Sequence, residues 1–211
     1  MTGGPDPRLT LCRVAATAVI GLLIASTALA MRPHVREGWH VGVAYGAAAG
    51  DFDGPAGETL EFEDGVSPHI RASRMVGSDL ALGLSYAGWM YETGELPTKF
   101  RYSMQSLVLA ASWYPGRADR ALGGLCLRGG VGLGWVGYTE VEILADEEQG
   151  HGDRTGSSGL ALELNLSYEF RLTDSVAAGL GVGLNSMGVA DDRLESATFV
   201  PVTVNLGWYW D

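Results

Sequence analysis

The sequence predicts an all-β protein, an eight-stranded antiparallel up-and-down transmembrane β-barrel over residues 31–211, and three observations predict it. Apolar side chains recur at every second position through eight stretches, the period of a pleated strand. The alternate positions are small or polar, with many of the 31 glycines among them. The connections sort into short turns and longer acidic segments, the asymmetry of barrels that cross a membrane as strands.

Residues 1–30 come first. "MTGGPDPRLTLCR" carries Arg8 and Arg13, and the uncharged apolar run "VAATAVIGLLIASTALA" ends in Ala28-Leu29-Ala30. A basic start, an apolar stretch and small residues before the junction predict a secretory signal peptide cleaved after Ala30. Cys12 precedes the apolar run instead of ending it, so lipid attachment is not expected. The mature chain then has Cys126 as its only cysteine, which rules out an internal disulfide. Net charge is -11, and removing Asp6, Arg8 and Arg13 with the leader makes it -12. Such an acidic chain repels phosphates, so nucleic acid is excluded as a partner.

The strands follow in order. "GWHVGVAYGAAAG" (38–50) sends Trp39, Val41, Val43 and Tyr45 one way, and His40, Gly42, Ala44 and Gly46 the other. "VSPHIRASRMV" (66–76) is less regular, because Pro68 interrupts it and Arg74 shares the face of Ile70 and Ala72. "LALGLSYAGWMYE" (80–92) sets Leu80, Leu82, Leu84 and Tyr86 against Ala81, Gly83, Ser85 and Ala87. "RYSMQSLVLAASWY" (101–114) groups Leu107, Leu109, Ala111 and Trp113. In "LCLRGGVGLGWVGYTEVEI" (125–143), Leu125, Leu127, Val131, Leu133 and Trp135 oppose Cys126, Arg128 and a run of glycines. "GLALELNLSYEFRL" (159–172) has the clearest alternation, Leu160 to Leu172 on even positions against Glu163, Asn165, Glu169 and Arg171. "SVAAGLGVGLN" (175–185) and "TFVPVTVNLGWYW" (198–210) complete four hairpins.

In a membrane barrel the large apolar row meets lipid and the other row lines the closed interior. An eight-stranded interior is only wide enough to be filled by side chains, so the glycines make room for the large polar ones. Arg71, Arg128, Glu163, Glu169 and Arg171 share the inward parity and are expected to form a paired lumen charge network, since an isolated buried charge is very costly. Aligning Leu133 with Leu164 sets Arg128 opposite Glu169. Trp39, Tyr86, Trp113, Trp135, Tyr168, Phe170, Trp208 and Trp210 are expected to form aromatic girdles at the lipid–water interfaces. The connections 77–79, 115–124 and 173–175 are the turns of one rim. The acidic connections 51–65, 93–100, 144–158 and 189–197 are expected as extracellular loops.

With "LCLRGGVGLGWVGY", "VAAGLGVGLN" and the terminal "VNLGWYW" in place, residues 31–211 resemble the small outer-membrane β-barrel proteins of Gram-negative bacteria, of the OmpX and OmpA membrane-domain type. The resemblance implies residence in the outer membrane, contact with its lipid and lipopolysaccharide, and a monomer. The ending is similar to the signal read by the barrel assembly machinery during insertion, although Asp211 follows the last aromatic residue here.

Motifs for chemistry are sparse. His34, His40, His69 and His151 have no metal-ligand spacing, so neither metal nor cofactor is expected. His151 lies near Asp146, Glu147, Glu148 and Asp153, which reads more simply as a solvated acidic loop than as a cation site. Deacylase barrels carry His-x-Ser, whereas Ser67-Pro68-His69 has the reverse order, so no enzyme is expected. The expected function is a non-enzymatic barrel with acidic extracellular loops in an envelope-structural or surface-interaction role. The alternatives are a small conduit or binder for an apolar or ionic solute, and a soluble periplasmic lipocalin-like barrel with the apolar rows turned inward.

Overall fold

The computed structural model describes residues 36–53, 59–94, 98–116, 121–144, 147–149, 155–191 and 194–211. The expected signal peptide, His34 and the His151 loop centre lie outside the described residues. The strands are β1 (Trp39–Asp53), β2 (Thr59–Met75), β3 (Leu80–Thr93), β4 (Thr98–Trp113), β5 (Leu125–Leu144), β6 (Glu147–Gln149), β7 (Thr155–Arg171), β8 (Val176–Asp191) and β9 (Leu194–Trp210). All eight predicted strands are present, each paired antiparallel with its neighbours. β1 pairs with β9 from Trp39↔Trp210 to Asp53↔Ser196, which closes the ladder. The short β6 folds back on the end of β5.

The seam needs a glycine. Gly38 has φ +67, and a Cβ there would collide with the Trp210 backbone. Its carbonyl accepts the Met75 amide at 2.9 Å, tying β2 to the seam. At the β7–β8 turn the Thr173 hydroxyl accepts the Val176 amide at 3.0 Å, a side chain mimicking a turn hydrogen bond.

Leu160, Leu162 and Leu164 are 60%, 52% and 60% exposed, while Ala161 and Glu163 between them are 0% and 2% exposed. The large apolar rows therefore point outward. This corrects the lipocalin-like alternative, whose apolar rows would have to face inward.

β2 shows how an irregular sequence still makes a strand. Pairing with β3 skips Ser67 and Pro68, so the proline is not asked for the amide it lacks. Arg74 does face outward, but at the rim, its guanidinium 5.7 Å from the Trp39 ring centroid, where a long side chain reaches polar surroundings.

The strands are longer than the sequence pattern predicts. Much of each expected acidic loop is ladder: 51–53 and 59–65 in β1 and β2, 98–100 in β4, 155–158 in β7, and 189–191 and 194–197 in β8 and β9. Alternation fades outside the membrane because the outer face there is polar, while hydrogen bonding continues. The register shifts twice in this extension, between Gly188 and Asp191 of β8 and, as a bulge, in β2. Ala48 pairs with Gly65 but Gly50 pairs with Phe62, so Ala49 opposes both Glu63 and Asp64. The extra residue reverses the parity of β2 and turns Phe62 inward.

Candidate functional site

The enclosed lumen holds the charged residues that the sequence singles out, together with a second layer that it does not. In the half nearest the short turns, Arg71, Arg128, Glu163, Glu169 and Arg171 all point inward and are buried. Arg71 Nη2 donates to Glu169 Oε1 at 2.8 Å. β2 and β7 are four places apart in the ring of eight, so this ion pair spans the lumen from wall to wall. Glu169 Oε2 accepts the Tyr209 hydroxyl. His40 stacks on the Tyr209 ring at 4.3 Å, and the Arg171 guanidinium lies 3.7 Å from the centroid of that ring. Arg171 Nη1 also donates to the Asp174 carbonyl at 3.0 Å. Arg128 Nε donates to Ser112 Oγ at 3.1 Å and Nη1 to Glu163 Oε1 at 3.5 Å.

Arg128 therefore pairs with Glu163 and not with Glu169. The expected register is corrected by four residues: Leu133 aligns with Leu160, and Arg128 with Asn165. A slip of four keeps every side chain on its face, so the alternation that identifies the strands cannot locate it. Small residues leave space as expected, since a Cβ at Gly42 would strike Arg71 and one at Gly207 would strike His40. Among these groups remains a cavity of about 10 Å³, lined by His69, Arg71, Ser85, Arg128, Asn165 and Asn205. That is space for roughly one water.

Ser67 and His69 also face inward. His69 Nε2 lies 2.9 Å from Ser67 Oγ, while that hydroxyl donates to the Gly88 carbonyl at 2.6 Å. The serine proton is thus directed away from the imidazole, and Ser67 is fully buried. This arrangement ties β2 to β3. Cys126 is buried beside Ala81 and Tyr114, a small filler as its parity suggests. No cluster of three metal-ligating side chains occurs among the described residues.

The second layer fills the opposite half. Ala48, Phe52, Trp89, Met104, Val108, Val136, Met187 and Phe199 form a buried apolar cluster inside the barrel. Trp89 is its centre, with its indole N–H donating to the Ala48 carbonyl at 3.1 Å. A Cβ at Gly65 would collide with that indole, and one at Gly134 with Met187. Sequence reading assigned this lumen small and polar residues and missed the layer. The signal was present, because Trp89 continues the Ala81, Ser85, Ala87 parity and Met104 opposes the Leu107 row.

No family model matches the sequence, and no curated protein matches it. Among solved structures the chain is similar to neisserial surface protein A, at 15% identity and a TM-score of 0.53, covering 82% of this chain and 98% of that one. It is similar to Ail of Yersinia pestis, solved with the heparin analogue sucrose octasulfate, at 13% identity, the same TM-score and the same coverage. OprG of Pseudomonas aeruginosa follows at 13% identity and a TM-score of 0.42, covering 83% and 98%. The fold is that of the small outer-membrane β-barrels of the OmpX and OmpA type.

An outer-membrane barrel needs an apolar belt, and the outward rows supply it. Leu82, Leu84, Leu109, Val131, Leu133 and Val204 are each about half exposed or more. Of the expected girdle, Trp39, Trp113, Trp208 and Trp210 are exposed near the short-turn rim, and Trp135 is exposed toward the other end of β5. Tyr86 and Phe170 are half-buried. Tyr168 is a correction: it is 6% exposed. The 3-10 turn Ala121–Gly124 covers it, bringing Gly124 against its ring, while Phe170 lies 4.8 Å away. At the same rim Arg36 lies 3.8 Å from the Tyr114 ring centroid and donates to the Gly123 carbonyl.

Proposed function

We propose that the protein is a non-conducting, non-enzymatic surface barrel, with the short-turn rim in the periplasm and the acidic rim displayed outside. One observation carries this reading: the lumen is filled by two successive layers, a charged one and an apolar one, with space for roughly one water beside Arg71 and Arg128. A solute would have to displace both layers. Ser67, the serine placed beside a histidine, is enclosed between them, which supports a structural role for that contact.

The displayed rim then carries the function, as an envelope-structural or surface-interaction element. Asp51, Glu61, Glu63, Glu92 and Glu195 are exposed there, on strands that continue beyond the apolar belt. Ail was solved with a polyanion, whereas this rim has the opposite sign to one suited to sulfates. Like-charge juxtaposition suppresses such partners, and cationic surfaces are favoured instead.

Two arms test the reading. In planar bilayers the purified barrel is expected to leave the current at baseline, and cells displaying it are expected to adhere to polycation-coated surfaces more than to heparin-coated ones. Stepwise, protein-dependent conductance would overturn the sealed lumen, and preference for heparin would overturn the assignment of partner charge.

A further inference from the structure

The apolar layer does not end as an ordinary core does. Above Trp89 and Phe52, which are buried, stand Phe62 on β2, Tyr91 on β3, Tyr102 on β4 and Tyr138 on β5, all half-buried and all on the inward face. Their rings touch in series around the mouth. Phe62 is 4.9 Å from Tyr91 and 4.6 Å from Tyr102, and Tyr102 is 5.1 Å from Tyr138. Below them Phe52 meets Phe62 edge-on at 5.6 Å, and Trp89 stacks under Tyr91 at 6.1 Å. The bulge at Glu63 and Asp64 brings Phe62 into this set, since regular pairing would turn it outward. The result is an aromatic cup, four half-buried rings in mutual contact and supported from beneath, on the acidic-rim side of the apolar layer.

We infer that this cup binds an alkylammonium group, quaternary or primary, carried on an extracellular molecule. The inference rests on the orientation given under the proposed function. Aromatic faces are negative, and a cation within about 6 Å of a ring centroid is attracted by them. The surrounding exposed carboxylates, Asp51, Glu61, Glu63, Glu92 and Glu195, add a field of the same sign. Arg101 on this rim is held by Glu92 at 2.5 Å and does not compete for the cup. Neutral apolar molecules would gain the rings alone. Anions would meet repulsion from both rings and carboxylates.

The test compares choline with its uncharged carbon isostere, 3,3-dimethylbutan-1-ol, on the full barrel in nanodiscs, followed by fluorine NMR of 3-fluorotyrosine. Choline is expected to shift the Tyr91, Tyr102 and Tyr138 signals saturably, about tenfold more tightly than the isostere, and more weakly as salt rises from about 0.05 to 0.5 M. Tyr102→Leu is expected to lower choline affinity about fivefold or more. Should that variant fold poorly, Glu61→Gln with Glu63→Gln, which leaves the rings untouched, is expected to weaken choline and spare the isostere. Equal binding of choline and the isostere, or shifts confined to other tyrosines, would overturn the inference. Conductance is read separately, so a leaking barrel that still binds choline would contradict the proposed function and leave the cup standing.

Discussion

The two halves of the lumen are filled by opposite chemistry, and their outer surfaces are opposite as well. At the depth of the leucine belt, hydrocarbon lies outside and Arg71, Arg128, Glu163 and Glu169 lie inside. Beyond the belt, Asp51, Glu61, Glu63, Glu92 and Gln105 face out into water, while Phe52, Trp89 and Met104 are buried within, and Met187 carries that apolar layer down to the level of Leu160 and Leu162. One ladder thus runs through two solvents. In lipid, apolar side chains gain nothing by being inside, and a polar interior is held by pairing. In water the same cylinder needs an apolar core, as any soluble barrel does. The interior changes over near the membrane edge.

The largest effect that sharpens this contrast comes from the wall-to-wall ion pair. Either Arg71→Met or Glu169→Gln strands a buried charge and is expected to cost about 3 to 5 kcal/mol in urea unfolding from bilayers. The double variant is expected to be more stable than the less stable single one, with a coupling of about 1 to 3 kcal/mol. Additive costs would mean the pair does not bridge the lumen. Smaller effects test the outer face. Leu164→Arg, in the belt, is expected to cost about 2 to 4 kcal/mol, and Gln105→Arg, past its edge, about 0 to 1 kcal/mol. Similar costs at the two positions would put the edge of the membrane elsewhere.

Much of this was legible in the sequence, for a reason that also sets its limit. Alternation reports which face a residue occupies, so eight strands, the outward leucines and all five inward charges could be read from parity. It does not report the partner, and a four-residue slip between β5 and β7 hid the Arg128–Glu163 pair. Nor does it mark a change of solvent along a strand. Trp89, Met104 and Phe199 obey the inward parity, but as large apolar residues they run against the polar lumen expected from membrane depth. Phe62 was less accessible still, because a bulge set by pairing geometry reverses its face. Tyr168 has the outward parity expected and is nevertheless covered, since the chain after β4 folds over it.

The inversion at the membrane edge is tested most directly by methyl NMR of the barrel in nanodiscs, with a paramagnetic label on the lipid tails and, separately, a water-soluble one. The lipid label is expected to broaden the methyls of Leu160, Leu162 and Leu164, while Met104 and Met187 stay sharp with both labels. Broadening of Met104 or Met187 by the lipid label, or protection of Leu164 from it, would contradict the account.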